Sequence, residues 1–128
     1  MKNVLFVCVE NACRSQMAEA FGNMYGQEII KPYSSGSRPS GRVNPKAIAS
    51  MQDVGYDLSV HDSKGLTDIP DIEYDLVVTM GCGDECPFVR ARQRQDWEIP
   101  DPKNMNEVDF AAIRDLIRDK VLALIEKI

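Results

Sequence analysis

A chain with one histidine, one tryptophan, no C-x2-C cysteine pair and fewer basic than acidic residues is already barred from several protein classes. Its cysteines, at 8, 13, 82 and 86, would give a zinc site C-x4-C and C-x3-C spacings. The usual structural zinc modules do not use these, so no metal is expected. No apolar run approaches the ~18 residues of a membrane-crossing helix, and no membrane partner is expected. Residues 1–15, MKNVLFVCVENACRS, hold too short an apolar stretch for a secretion signal and continue into polar sequence, so a cytoplasmic chain is expected. Fifteen basic against twenty acidic residues leave a net charge of −5, which argues against nucleic acid as a partner. The lone histidine, His61, lies in a mixed segment far from any other candidate base and reads as structural. Trp97 reads as core.

What is present is ordinary for a globular chain: 44% apolar and 27% charged residues over 128 positions. One domain, 1–128, is expected, large enough to bury a core without disulfide staples. Stability therefore does not explain four cysteines.

The periodicity predicts alternating strands and helices. VLFVCV, within Asn3 to Val9, is a continuous apolar run of the kind that forms a strand buried on both faces. Met17, Phe21 and Met24 then fall on one face of a helix over 14–25. Glu28 to Tyr33 is a second strand, followed by a loop over 34–42. Asn44 and Pro45 form an N-cap and first-turn pair for a helix closed by Gly55. Tyr74 to Met80 is a third strand, Asp96 to Ile99 a short fourth, and 106–127 a last amphipathic helix. Arg90, Arg92 and Arg94 read as a solvated loop before that fourth strand. This order predicts an α/β fold with a mostly parallel sheet and helices on both faces. In such sheets ligands bind beyond the C-terminal strand ends. Cys8, Ser34, Gly81, Cys82 and Asp101 all fall there.

Residues 8–15, C-V-E-N-A-C-R-S, close the first strand and open the first helix. The backbone N–H groups of such a loop can converge on an anion, and the helix N-terminus adds positive potential. Val9, Glu10, Asn11, Ala12, Cys13, Arg14 and Ser15 are therefore the candidate substrate-binding residues. Arg14 can grip two oxygens of a tetrahedral oxyanion. The same field favours the thiolate of a cysteine at the loop's start, which makes Cys8 the candidate nucleophile. Ser15 can donate a hydrogen bond to that sulfur, and Asn11 suits a left-handed backbone. Cys13 reads as packing within the loop.

Cys82 and Cys86 follow the third strand in G-C-G-D-E-C-P. Four apart on a helix, their Cβ atoms would be ~5–6 Å apart, against the ~3.5–4.5 Å a disulfide needs. Gly81, Gly83 and Pro87 would let the segment unwind to join them. The residues alone leave two small unconnected side chains or a labile redox pair. Asp101, fixed by Pro102, is a candidate general acid: a carboxyl beside a bound anion can hold a proton and give it to a departing oxygen.

VCVENACRSQMAEAF resembles the phosphate-binding loop of the low-molecular-weight protein tyrosine phosphatase superfamily. Arg14 to Glu19, R-S-Q-M-A-E, resembles its arsenate reductases; the phosphatases carry Pro where Gln16 stands. YSSG at 33–36, VNPKA at 43–47, DLVVTM at 75–80 and Asp101-Pro102 agree, so the resemblance spans the whole chain. It implies a flavodoxin-like three-layer α/β/α fold with a four-stranded parallel sheet, no cofactor, a monomer, and arsenate as substrate with phosphate or sulfate as mimics. It further implies that Cys8 attacks arsenate, Cys82 attacks the thiol–arsenate adduct, Cys86 resolves the disulfide, and thioredoxin or another thiol reductant reduces the Cys82–Cys86 bond. Some of these reductases hold potassium with residues matching Asn11, Glu19, Ser34 and Ser63. Lys64 replaces a family Asp there, and an ammonium group could stand in for the ion. Lys103 stands where the phosphatases place an aromatic residue, against an aryl phosphate. Three readings follow: an arsenate reductase, a phosphatase with a phosphocysteine intermediate, or an oxyanion-binding module. Cys82 and Cys86 favour the first, which can use thioredoxin or a low-molecular-weight thiol.

Overall fold

In the computed structural model, which describes residues 1–81 and 88–128, four strands run parallel in the order β2-β1-β3-β4. They are β1 (Lys2–Cys8), β2 (Ile30–Gly36), β3 (Tyr74–Thr79) and β4 (Ala91–Asp96). Between and after them lie α1 (Arg14–Tyr25), α2 (Pro45–Gln52) and α3 (Glu107–Lys127). Short 3-10 turns occupy Leu58–Val60 and Leu66–Asp68.

The apolar runs become the two central strands, as their composition demands. Val4, Phe6, Leu76 and Val78 face one side and pack with Met17, Phe21, Met51, Phe110, Ile117 and Val121 from all three helices. Leu5, Val7 and Val77 face the other side, against Tyr33, Ile69 and Ile72. Among the described residues the α-helices thus gather on one face. Of the described residues, Ile69 and Ile72, just after the Leu66–Asp68 turn, pack on the second face. Phe21 and Met17 are fully buried, each contributing roughly 1.5–3 kcal/mol.

The cap expected at Asn44 forms, and Asn106 caps the last helix as well. Asn44 Oδ1 accepts from the N–H of Lys46 at 2.9 Å with Pro45 behind it, and Asn106 Oδ1 accepts from the N–H of Asp109 at 2.8 Å. Gly22, a weak helix former inside α1, has a packing reason: a Cβ there would lie 2.9 Å from the Pro32 Cβ of β2.

Two strand boundaries depart from expectation. The second strand begins at Ile30 and runs to Gly36, taking Ser34 and Ser35 out of the expected loop. The fourth strand is the arginine-bearing 91–96, not 96–99. It is the sheet edge, and five of its six residues are exposed, so no apolar pattern marks it. Charged side chains on an edge also discourage pairing with other chains. Arg90 and Arg92, read as loop, pair with Asp71 (3.2 Å) and Glu73 (3.4 Å) at the surface. Trp97 and Ile99 then turn into the core.

Register brings the strand ends together. Cys8 lies opposite Gly36, Val7 opposite Thr79, and Thr79 opposite Asp96.

Candidate active site

The loop between β1 and α1 is held from outside by its carbonyls. Val9, Glu10 and Ala12 accept from the N–H groups of Arg38 (2.8 Å), Ser40 (3.0 Å) and Asn44 (3.1 Å). The Asn11 carbonyl accepts from Gln16 Nε2 at 3.2 Å. In a trans peptide the N–H lies opposite the C=O. The N–H groups of residues 10–13 are therefore turned away from these outer partners, toward the loop's interior, as an anion nest requires. Asn11 takes the left-handed backbone expected of it, with φ 50°. The helix that follows has no side-chain N-cap bond, so the positive end of α1 faces the same point.

Cys8 sits at the floor of this loop and is buried. Its Sγ lies 2.9 Å from Ser15 Oγ. Arg14 is buried beside it, with one guanidinium nitrogen donating to the Ile99 carbonyl at 3.2 Å and another 3.7 Å from Asp101 Oδ2. Asp101 is half exposed, and its Oδ1 accepts from the N–H of Lys103 at 3.1 Å. A cavity of about 670 Å³ opens over these groups, lined among others by Cys8, Cys13, Arg14, Gly81, Asp101 and Lys103. Lys103 reaches across it to Glu10 at 3.0 Å. Of the predicted residues, Cys8, the loop, Arg14 and Asp101 are thus brought together. Cys82 and Cys86 lie outside the described residues.

Cys13 also lines the cavity, yet burial pushes its thiol up to about 12, and the negative charges of Asp101 and Cys8 push the same way. It stays a neutral thiol at pH 7 and is a poor nucleophile, in line with a packing role.

Gly81 has φ +77°, and a Cβ there would collide with the Arg14 guanidinium. Gly81→Ala therefore meets a left-handed penalty of roughly 1–2 kcal/mol and also displaces Arg14. Weaker phosphate protection against thermal unfolding than in the parent, measured at equal phosphate, is the expected outcome.

The residues expected to resemble a potassium site are occupied with each other. Ser34 Oγ donates to Glu19 Oε1 at 2.6 Å, and Lys64 Nζ stands 3.5 Å from the same oxygen. Ser63 Oγ instead donates to the Glu10 carbonyl at 3.1 Å. Among the described residues no cluster of three His, Cys, Asp or Glu side chains could hold a metal.

Two residues gain a place that the sequence reading did not give them. Gln16 is fully buried and bonds both Asn11 and the Asp62 carbonyl. His61, read as merely structural, bonds Gln16 Oε1 at 2.9 Å. Asn11 lies only five residues from Gln16, but Asp62 and His61 lie 46 and 45 residues away, beyond the reach of a local pattern.

The family profile described as low molecular weight phosphotyrosine protein phosphatase matches residues 3–128. A glutaredoxin arsenate reductase of Synechocystis is 39% identical, the match covering 100% of this chain and 99% of the relative. Arsenate reductase 1 of Staphylococcus epidermidis is 37% identical over 91% of this chain and 90% of its own length. A solved arsenate reductase in its phosphate-binding state superposes with a TM-score of 0.88 at 38% identity, covering 100% of this chain and 99% of that one.

Proposed function

The chain belongs to the low molecular weight phosphotyrosine protein phosphatase family, and we propose that it is an arsenate reductase with Cys8 as its nucleophile. The observation that carries this reading is the buried Cys8 sulfur, 2.9 Å from Ser15 Oγ, lining one cavity with its loop, Arg14 and Asp101. The names of the relatives support the substrate.

Arsenate settles in the loop with two oxygens toward Arg14. The Cys8 thiolate attacks arsenic, and one oxygen departs as water with a proton from Asp101. Cys82 then attacks the Cys8 sulfur. A sulfur–sulfur bond forms, the sulfur–arsenic bond breaks, and its electron pair stays on arsenic, giving arsenite. Two thiols have supplied two electrons. Cys86 attacks Cys82 and frees Cys8, leaving a Cys82–Cys86 disulfide for an external dithiol. Phosphate can occupy the same loop but does not accept those electrons. Weak phosphatase activity through a phosphocysteine fits the same geometry.

Thioredoxin is the proposed reductant. The second reading, a glutaredoxin or low-molecular-weight thiol, is favoured by the glutaredoxin named for the Synechocystis relative. The reading treats 1–128 as one catalytic domain that works as a monomer in the cytoplasm, where thiol pools keep such a disulfide cycling.

The test is arsenate turnover measured with thioredoxin, thioredoxin reductase and NADPH, and in parallel with glutathione and glutaredoxin. Cys82→Ser should abolish both. Cys86→Ser should abolish the thioredoxin reaction; survival of its glutathione reaction would assign the donor to the small thiol. Intact turnover in Cys82→Ser would overturn the redox sequence.

Potassium should not matter. Lys64 already supplies a positive charge beside Glu19. Rates in KCl and NaCl at one ionic strength should coincide, and a strong preference for potassium would refute that role for Lys64.

A further inference from the structure

The hydrogen bonds behind Cys8 form a continuous chain, and fixed backbone groups decide which way each one points. The Asn11 Oδ1 atom accepts from the Lys64 backbone N–H at 2.7 Å, an unambiguous donor. The other end of that amide, Nδ2, must therefore face Ser15 Oγ, 2.8 Å away, and donate to it. Ser15 has one hydroxyl hydrogen, and its oxygen is already an acceptor. A Cys8 thiolate has no hydrogen to give, so across the 2.9 Å to the sulfur the Ser15 hydroxyl is the donor.

The chain extends further in the opposite direction. Gln16 Nε2 faces the carbonyls of Asn11 and Asp62 at 3.2 and 2.8 Å, as well as Asn11 Oδ1 at 2.7 Å. All three are acceptors, so this end is the NH2 group and Oε1 faces His61. The His61 Nδ1 atom meets Gln16 Oε1 at 2.9 Å and the Glu19 carboxylate at 3.4 Å, again only acceptors, so Nδ1 carries the hydrogen. Burial lowers the imidazole pKa against the opposing pull of Glu19, and the ring is neutral at pH 7. Its Nε2 is then a bare acceptor for the Tyr56 hydroxyl at 2.6 Å, while Asn23 donates to the Tyr56 oxygen at 3.1 Å.

Each link from Tyr56 through His61, Gln16, Asn11 and Ser15 therefore has a donor directed toward the sulfur. Hydrogen bonds in series polarise one another, most strongly away from water. We propose that Gln16, His61 and Tyr56 are positioning residues for Cys8, holding a one-way chain of donors that commits the Ser15 hydroxyl hydrogen to the sulfur. This rests on the reading of Cys8 as the nucleophile. The structure places none of the three against the cavity that receives the anion. They act through Asn11 and Ser15.

Gln16→Glu is the sharpest probe, because a carboxylate at that position cannot donate. The Asn11 oxygen, still held by the Lys64 N–H, would lose its second donor and meet a carboxylate oxygen in its place. The polarisation that reaches Ser15 through the Asn11 amide would be cut there. His61→Leu breaks the chain further out. His61→Gln can restore it, since an amide can donate to Gln16 and accept from Tyr56.

The experiment follows alkylation of Cys8 by iodoacetamide at pH 7, read by peptide mass spectrometry, beside arsenate kcat/KM and circular dichroism. Gln16→Glu and His61→Leu should slow Cys8 alkylation roughly tenfold or more, the scale of one hydrogen bond to a charged group. His61→Gln should recover most of the rate, and Tyr56→Phe should fall between it and His61→Leu. If Gln16→Glu does not fold, the Leu and Gln variants of His61 decide. Wild-type alkylation in folded His61→Leu overturns the proposal, and so does equal slowing in the Leu and Gln variants, which would make His61 a space filler. Slow alkylation in His61→Leu with undiminished arsenate turnover would sustain the chain and overturn Cys8 as the reacting group.

Discussion

Cys8→Ser should lower arsenate turnover at least about a thousandfold, roughly 4 kcal/mol of barrier. Two separate requirements fail at once. A serine hydroxyl at neutral pH is a far weaker nucleophile than a thiolate, and Ser15 and the loop amides do not make it one. Even if an oxygen–arsenic adduct formed, Cys82 could not take that oxygen into a disulfide, so arsenic would keep its +5 state. The anion site itself should survive, because the inward amides and Arg14 owe nothing to the sulfur. Phosphate should still raise the Tm of Cys8→Ser, which separates lost chemistry from lost binding. Measurable arsenite release from this variant would refute the assignment of Cys8.

Arg14→Lys should cost roughly a hundredfold in kcat/KM for arsenate, despite keeping the charge. The guanidinium is held in place by the Ile99 carbonyl at 3.2 Å and by Asp101 at 3.7 Å, with Gly81 leaving room beside it. From there its planar fork can face two oxygens of the anion together. An ammonium is a single point of charge on a flexible stem and cannot do both tasks. It also leaves the buried Ile99 carbonyl short of its donor. The loss should appear in KM and in phosphate inhibition as well as in kcat. A variant with parental phosphate affinity would show that the loop amides bind the anion unaided.

The legible parts of this protein share a property. Each depends on residues close in sequence or on a pattern that burial imposes. The two central strands are apolar on both faces because both faces are covered, and Val4 to Val7 and Leu76 to Val78 announce it. The loop over 8–15 closes within eight residues, so its left-handed Asn11 and the nearness of its cysteine and arginine could be read directly. Asn44 caps the helix it was expected to cap.

The illegible parts depend on partners far away or on a missing pattern. The edge strand 91–96 joins the sheet by its backbone ladder to β3 and leaves five of its six residues exposed, so its Arg and Gln side chains carry no apolar trace of it. Gln16 was distinguished only by not being the proline found in the phosphatases. That it joins the loop to Asp62 and His61 follows from the packing of the 61–64 segment against α1. His61 looked isolated because its neighbours, Gln16, Glu19 and Tyr56, come from two directions in the chain.

By itself the sequence determined the class of fold, the order of its elements and the placing of Cys8 and Arg14 on one short loop, because hydrophobic periodicity and a short loop are local properties. The tertiary structure alone decided where Arg14 rests, how Asp101 meets it, and in which direction the hydrogens behind Cys8 point. A hydrogen bond takes its direction from both partners, and here the fixed donors and acceptors, Lys64 N–H and the Asp62 carbonyl, lie about fifty residues from the side chains they orient.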